Sequence, residues 1–127
     1  VVGQDNEAKL AAKELDRLNV EHTLIEDSSR PTTFKIRYLV DNQKMFRVSR
    51  LKEHGLEKQV EEIIIKELKE SAPKVQGILI SDFVYGVITP RILGTIMELA
   101  KKNSLFVFRT CNKFFFFIVF YFWSFWV

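Results

Sequence analysis

The fold class is decided by residues 76–102, QGILISDFVYGVITPRILGTIMELAKK. The apolar run at residues 77–80 does not alternate with polar residues, which predicts a parallel strand covered by helices on both faces. Thr89 and Pro90 are a favoured N-cap and first helical residue, and the apolar residues after them recur every three or four positions, as in an amphipathic helix. Ligands of α/β proteins bind at the carboxyl ends of such strands, and Asp82 lies at this end.

The segments before this unit predict helices and a hairpin. Asp5 can cap a first helix, and residues 22–25 are a candidate strand. Residues 33–50 alternate between apolar and polar side chains about a turn at residues 41–44, which predicts an antiparallel hairpin with one exposed face. Helical spacing returns at residues 56–68. The order helix, hairpin, helix, strand and helix predicts an α/β core that carries a β-sheet lid.

The charge pattern and the cysteine content exclude several classes of protein. All 16 Asp and Glu lie before residue 105, whereas two of the 19 Lys and Arg, Arg109 and Lys113, lie after it. The main body is thus nearly neutral with alternating signs, which is not the basic patch of a nucleic-acid-binding protein. The single cysteine, Cys111, and two separated histidines predict neither a disulfide nor a metal site. No secretory signal opens the sequence, so we expect a cytoplasmic protein.

Residues 104–127 differ in composition from the rest of the chain. They contain nine of the twelve Phe and both Trp. Their continuous apolar part, residues 114–127, is shorter than the roughly 20 residues of a membrane-spanning helix. Three interpretations remain: a tail that associates with a membrane, a buried strand, or sequence translated out of frame, which the break in composition favours. We expect an aromatic tail outside the fold, in which residues 104–108 can still form the next parallel strand.

A series of short motifs resembles a known family of enzymes. The motifs are Arg-Pro-Thr-Thr at residues 30–33, the cations and amides of residues 35–47, Ser-Asp-Phe at 81–83, Gly-Val at 86–87 and Thr-Pro at 89–90. In this order they resemble the ribokinase-like carbohydrate kinases of the phosphofructokinase-B type, and most closely those that phosphorylate heptose 7-phosphate. The likeness covers residues 1–103. One departure is Tyr85, which stands before Gly86 where the family usually has Lys.

The resemblance implies a partial kinase domain at residues 1–103, with a three-layer parallel sheet and a hairpin lid at about residues 33–50. The lid would close over a sugar phosphate and could pair two copies as a homodimer. The implied reaction transfers the γ-phosphoryl group of ATP, with Mg²⁺, to C1 of a heptose 7-phosphate for ADP-heptose and lipopolysaccharide synthesis.

The catalytic residue of that family is absent from the sequence. Its general base is an Asp in a Gly-Ala-Gly-Asp loop at a helix N-terminus, and no Gly-x-Gly-Asp occurs among the 127 residues. We therefore expect a catalytically inactive fragment of a kinase. Two other functions stay open: a non-catalytic kinase-like domain whose aromatic tail binds a membrane or a partner, and another sugar or nucleoside kinase of the same family.

The hairpin supplies the first group of candidate substrate-binding residues. Lys35 and Arg37 lie on one face of a strand, with Arg47 on the next strand, and this face can hold an anionic sugar phosphate or be a solvated outer face. Asn42 and Gln43 can donate hydrogen bonds to sugar hydroxyls or simply form the turn.

The loop after the buried strand supplies the second group. Asp82 can contact a substrate or the metal-bound nucleotide, or it can cap a nearby backbone turn. Tyr85 can stack on a sugar or cover the edge of the sheet, and Gly86 is expected to allow a close backbone turn.

Overall fold

The structure, a computed structural model, describes residues 1–111 and 118–120. The chain forms two compact units, unit 1 (Val1–Lys52) and unit 2 (Glu53–Val127). The described elements include helices and both antiparallel and parallel strand pairs, so the prediction of an α/β protein is confirmed at this level. In chain order they are α1 (Asn6–Arg17), β1 (Phe34–Val40), β2 (Gln43–Arg50), α2 (Lys58–Ser71), a 3-10 turn (Ala72–Lys74), β3 (Gly77–Asp82), α3 (Pro90–Asn103), β4 (Phe106–Cys111) and β5 (Ile118–Phe120).

Unit 1 begins with a capped helix. Asp5 is the N-cap of α1, and its Oδ1 accepts a hydrogen bond from Ala8 N at 3.1 Å, as the sequence predicts. The strand predicted at residues 22–25 is wrong, because the structure has only one isolated parallel bridge in this region, between Val2 and Glu26. After Val2 the chain turns into the cap of α1, so the segment has no extended neighbour along which a ladder could continue.

The strands β1 and β2 form an antiparallel hairpin. Its turn consists of Asp41 and Asn42, whose φ angles of 47° and 63° are the left-handed values that a two-residue type I′ turn needs and that Asp and Asn tolerate. The register shifts between Tyr38 and Leu39, so a β-bulge interrupts the pairing. One face is apolar, and its side chains are 38% to 60% exposed. They are Phe34, Ile36, Tyr38, Phe46 and Val48.

Unit 2 is built around a parallel strand pair and two helices. The strands β3 and β4 pair in parallel, from Gly77 opposite Phe106 to Asp82 opposite Cys111. Thr89 caps α3 by accepting a hydrogen bond from Ile92 N at 3.2 Å, as predicted. Helices and strands share one cluster of buried aliphatic side chains. Its members are Ile65, Ala72, Ile80, Ile92, Ile96, Ala100, Leu105 and Val107.

The prediction that helices cover both faces of residues 77–80 is wrong. Ile80 is buried in the core, but Leu79 is 69% exposed, and Phe106 on the neighbouring strand is 64% exposed. Successive side chains of a strand point to opposite faces of the sheet, so these exposures mark a second face that the described residues leave open. An unbroken apolar run therefore does not distinguish a strand buried on one face from a strand buried on both.

Part of the C-terminal segment that was expected outside the fold lies in the sheet. The strand β4 forms where residues 104–108 were the candidate next strand, and β5 pairs antiparallel with it, with Val107 opposite Phe120. Residues 112–117 and 121–127, which include most of the aromatic run, lie outside the described residues. No helix in the described part of the chain has the length and apolar character needed to span a bilayer.

Candidate functional site

Asp82 lies at the carboxyl end of β3 and is only 7% exposed. Its Oδ1 accepts a hydrogen bond from Val84 N at 2.7 Å, so the side chain caps the backbone two residues further on. Its Oδ2 accepts a hydrogen bond from Arg109 Nη2 at 2.7 Å, a short charge-assisted contact. The structure therefore shows the turn-capping role that the sequence left open, whereas a contact with substrate stays a prediction.

Sequence reasoning missed Arg109 because it grouped this residue with the aromatic tail. In the structure Arg109 belongs to β4, opposite Ile80 of β3, and its side chain is 28% exposed. Its Nε is buried and has no hydrogen-bond partner among the described residues. The signal that points to Arg109 is topological: parallel neighbours end at the same edge of a sheet, so a cation near the end of β4 lies beside an acid at the end of β3.

The loop that follows Asp82 is tightly constrained. Val84 has a φ of 62°, a left-handed value that β-branched residues rarely adopt. Gly86 has a φ of 84°, and a Cβ atom at this position would lie 2.0 Å from the carbonyl oxygen of His54. Both the conformation and the lack of space require glycine at position 86.

Two aromatic rings flank Val84 in this loop. The ring planes of Phe83 and Tyr85 are 15° from parallel, and their centroids are 6.3 Å apart. Phe83 is 48% exposed and Tyr85 is half-buried. The loop thus presents a pair of rings near the carboxyl edge of the sheet, and stacking of Tyr85 on a sugar stays a prediction.

Glu61 of α2 supports the start of α3. Its Oε1 accepts a hydrogen bond from the Thr89 hydroxyl, and its Oε2 accepts one from Arg91 Nη1 at 3.0 Å. The Thr89 hydrogen bond, with a further contribution from Arg91, lowers the pKa of Glu61 below its usual range. The N-terminus of α3 therefore already has an ionised carboxylate beside it.

The cationic candidates on the hairpin share one face of unit 1. Arg37 lies directly opposite Arg47, and Lys35 lies opposite Ser49. Like charges that face each other across two strands destabilise the pairing, by up to about 1 kcal/mol. Binding of an anionic ligand at this face, whose charge would relieve the repulsion, stays a prediction.

The amide candidates of the hairpin differ in placement. Asn42 is the second residue of the turn, with a φ of 63°, and Gln43 is the first residue of β2, opposite Val40. The turn geometry alone accounts for Asn42 at this position. Binding of a sugar by either amide stays a prediction.

The eight candidate residues form two groups within separate units. The hairpin of unit 1 holds one group, Lys35, Arg37, Asn42, Gln43 and Arg47. The loop of unit 2 and the strand before it hold the other group, Asp82, Tyr85 and Gly86.

Similarity to curated proteins gives these groups a context. No protein-family model matches the chain. Bifunctional protein HldE of Wolinella succinogenes is 31% identical to the chain over 102 residues, which cover 80% of the chain and 22% of that protein. HldE of Helicobacter hepaticus is 30% identical over 108 residues, 84% of the chain and 22% of the relative. HldE of Geobacter sulfurreducens is 29% identical over 106 residues, 83% of the chain and 22% of the relative. The chain is related to HldE. It spans about a fifth of the length of these HldE proteins.

In this relative of HldE, two residues of the Arg-Pro-Thr-Thr motif make hydrogen bonds within unit 1. Arg30 Nε donates a hydrogen bond to Asp27 Oδ2 at 2.7 Å, and both side chains are buried. Thr32 Oγ1 accepts a hydrogen bond from Gly3 N at 2.9 Å, and Thr32 N donates one to Asp5 Oδ2 at 2.9 Å. Part of the motif that first suggested the kinases therefore has a structural role in the chain.

Proposed function

We propose that the chain is part of an ATP-dependent sugar kinase with a ribokinase-like fold, whose substrate is a heptose 7-phosphate phosphorylated at C1. The relation to HldE over about four fifths of the chain carries this proposal. The ordered motifs and the strand, loop and helix of unit 2 support it. The product would enter ADP-heptose and lipopolysaccharide synthesis, and the enzyme would act in the cytoplasm.

The basic face of the hairpin is the proposed contact for the phosphate of the sugar. Arg37 and Arg47 face each other across the strands, and Lys35 is two residues before Arg37 on the same face. A phosphate accepts several charge-assisted hydrogen bonds, and guanidinium groups match its geometry. A dianion between the two guanidinium groups would also offset their mutual repulsion, so a phosphorylated sugar should bind better than its neutral parent.

ATP and Mg²⁺ are the proposed cofactors of the complete enzyme. Asp82 does not fit a direct ligand of Mg²⁺, because both of its oxygens accept hydrogen bonds and Arg109 balances its charge. No chemical step is assigned to Asp82. Because the sequence lacks the Gly-x-Gly-Asp loop of the family, we propose that the 127-residue chain alone does not transfer phosphate.

The apolar face of the hairpin is the proposed contact with a second copy of the chain. Tyr38 and Phe46 stack on this face with ring centroids 4.3 Å apart, yet they remain 44% and 60% exposed. A lone two-stranded hairpin is marginally stable, and pairing would cover its apolar side chains. Sedimentation should show a dimer that Phe46→Lys converts to monomer; a wild-type chain that remains monomeric at high concentration would contradict this contact.

Calorimetric titration with heptose 7-phosphate and with the unphosphorylated heptose tests the proposed substrate. We expect the chain to bind the phosphorylated sugar and to bind the neutral sugar at least tenfold more weakly. Arg37→Ala should raise the Kd for the phosphorylated sugar about tenfold or more, because a hydrogen bond to a charged group contributes about 1.5 to 3 kcal/mol. Arg47→Ala should do the same.

Lys13→Ala is the matched control, because Lys13 is an exposed cation on α1 in the same unit. It should leave the Kd unchanged. Equal affinity for the two sugars would argue against the phosphate contact. If Lys13→Ala and Arg37→Ala weakened binding of the phosphorylated sugar equally, the loss of affinity would reflect general charge attraction rather than a specific contact.

A further inference from the structure

Arg109 links the sheet of unit 2 to the loop that follows β3. Its Nη2 donates to Asp82 Oδ2 at 2.7 Å, and the other oxygen of the same carboxylate accepts from Val84 N at 2.7 Å. One carboxylate thus joins a side chain held on β4 to the backbone of the loop. A rotation of the carboxylate that broke the first contact would also disturb the second.

The loop conformation needs a support of this kind. Val84 is a β-branched residue with a φ of 62°, which is unfavourable in isolation. A hydrogen bond between neutral groups contributes roughly as much free energy as this backbone conformation costs. A hydrogen bond to a charged group contributes more. The carboxylate of Asp82 is fixed in its buried position because the guanidinium of Arg109 donates a hydrogen bond to it at 2.7 Å.

We infer that Arg109 is a positioning residue: acting through Asp82, it holds Val84 in its left-handed conformation and so sets the position of the Phe83 and Tyr85 rings. The rings lie immediately before and after Val84, and the inter-ring distance of 6.3 Å depends on the backbone between them. Only the further claim that these rings meet a sugar rests on the proposed function.

Amide hydrogen exchange, measured residue by residue by NMR on the full chain, tests this role. In the native chain the Val84 amide should exchange at least about tenfold more slowly than an unprotected amide, because its hydrogen is bonded to Asp82. Arg109→Met, which removes the charge and keeps the length, should accelerate Val84 exchange at least tenfold more than it accelerates exchange at Ile96 in the middle of α3. Ile96 reports any general loss of stability.

Three further variants separate positioning from simple stabilisation. Arg109→Lys should restore most of the protection of Val84, because it keeps a cation beside Asp82. Asp82→Asn keeps an acceptor for Val84 N but lacks the charge, so it should give an intermediate rate and serves if Arg109→Met does not fold. Arg91→Met breaks the ion pair with Glu61 elsewhere in unit 2 and should not change Val84 exchange relative to Ile96.

An unprotected Val84 in the native chain would overturn the inference. So would equal acceleration at Val84 and Ile96 in Arg109→Met, or an Arg109→Lys chain that behaves like Arg109→Met. Titration of the same variants with heptose 7-phosphate tests the proposed function separately. Selective loss of protection at Val84 with unchanged sugar affinity would support the positioning role and count against a sugar contact at this loop.

Discussion

The two units of the molecule are stabilised in different ways. Unit 2 buries a cluster of aliphatic side chains, whereas Val2 is the single buried hydrophobic residue within residues 1–52, all of which the structure describes. The buried charged residues of unit 1 are Asp27 and Arg30. Apolar burial is non-directional, but a buried ion pair requires every partner to be present. We therefore expect unit 1 to respond to lost charges and to acid, and unit 2 to lost methyl groups.

Removal of the Asp27 carboxylate should cause the largest loss of stability. It tests whether unit 1 depends on its buried ion pair. Asp27→Ala leaves the buried Arg30 guanidinium without its carboxylate and removes the acceptor of two hydrogen bonds from Ser29. We expect unit 1 to lose about 3 to 5 kcal/mol of stability. Amide exchange in α1 as a function of urea concentration would measure the loss.

The exposed carboxylate of Asp16 on α1 is the control for Asp27. Its side chain is 75% exposed, so Asp16→Ala should change stability by less than about 0.5 kcal/mol. If Asp27→Ala cost as little as Asp16→Ala, unit 1 would not depend on its buried ion pair, and the contrast with unit 2 would disappear.

Truncation of Ile92 tests the apolar half. Ile92 is 1% exposed at the centre of the unit 2 core, so Ile92→Ala should cost about 2 to 5 kcal/mol through lost burial and the cavity that remains. Ile92→Val removes one methylene and should cost about 0.5 to 1.5 kcal/mol. Urea unfolding, followed through the amides of α3, provides the measurement.

Leu10→Ala on α1 should have little effect because Leu10 is 54% exposed, and a comparable loss there would mean that unit 1 has an apolar core of its own.

Acid should weaken unit 1 through two carboxylates. Burial alone would raise the pKa of Asp27, but hydrogen bonds from Ser29 and Arg30 outweigh it and lower that pKa. The Thr32 hydrogen bond lowers the pKa of Asp5. Both groups have an ordinary pKa of 3.8, so their stabilisation is present above about pH 4 and is lost as the pH falls through the lower values of the folded state.

The acid response can be measured as amide exchange in α1 and α3 between pH 6 and pH 2, after correction for intrinsic exchange. We expect α1 to lose more protection than α3, because two carboxylates with a lowered pKa support unit 1, whereas one, Glu61, supports the start of α3. Asp5→Asn keeps the helix cap without a titrating group and should reduce the acid sensitivity of α1. Equal loss in both helices, unaffected by Asp5→Asn, would show that these carboxylates do not set the acid limit of unit 1.

The comparison also explains which features could be predicted from the sequence. Capping residues and apolar periodicity are local signals, so the sequence could predict the starts of α1 and α3 and the aliphatic core. The pairing of Arg109 with Asp82 joins residues 27 positions apart, and it follows from strand topology rather than from local pattern.

The polar network of unit 1 was harder to predict. Asp27 lies in a segment whose Ser, Arg and Pro indicate an exposed turn, yet it is 2% exposed because Ser29 and Arg30 satisfy its carboxylate. Composition cannot distinguish a solvated polar turn from a buried one when the partners lie within the turn itself. The same limit applies to Leu79, where strand periodicity gave no sign of an open face.

The smallest expected effect on stability comes from adding one methyl group to a glycine. Its sign should differ between the two units. Gly94 lies on the exposed side of α3, and a Cβ there would meet no atom within 4 Å, so Gly94→Ala should stabilise unit 2 by about 0.5 to 1 kcal/mol.

In unit 1, a Cβ on Gly3 would lie 2.6 Å from Arg30 O and 2.7 Å from Thr32 N, both backbone atoms. Gly3→Ala should therefore destabilise, because the hydrogen bond between Gly3 N and Thr32 requires this close approach. Urea unfolding of the two variants measures both signs. A neutral Gly3→Ala would show that the backbone around the Asp27–Arg30 pair can move, and that unit 1 is less rigidly specified than its polar contacts indicate.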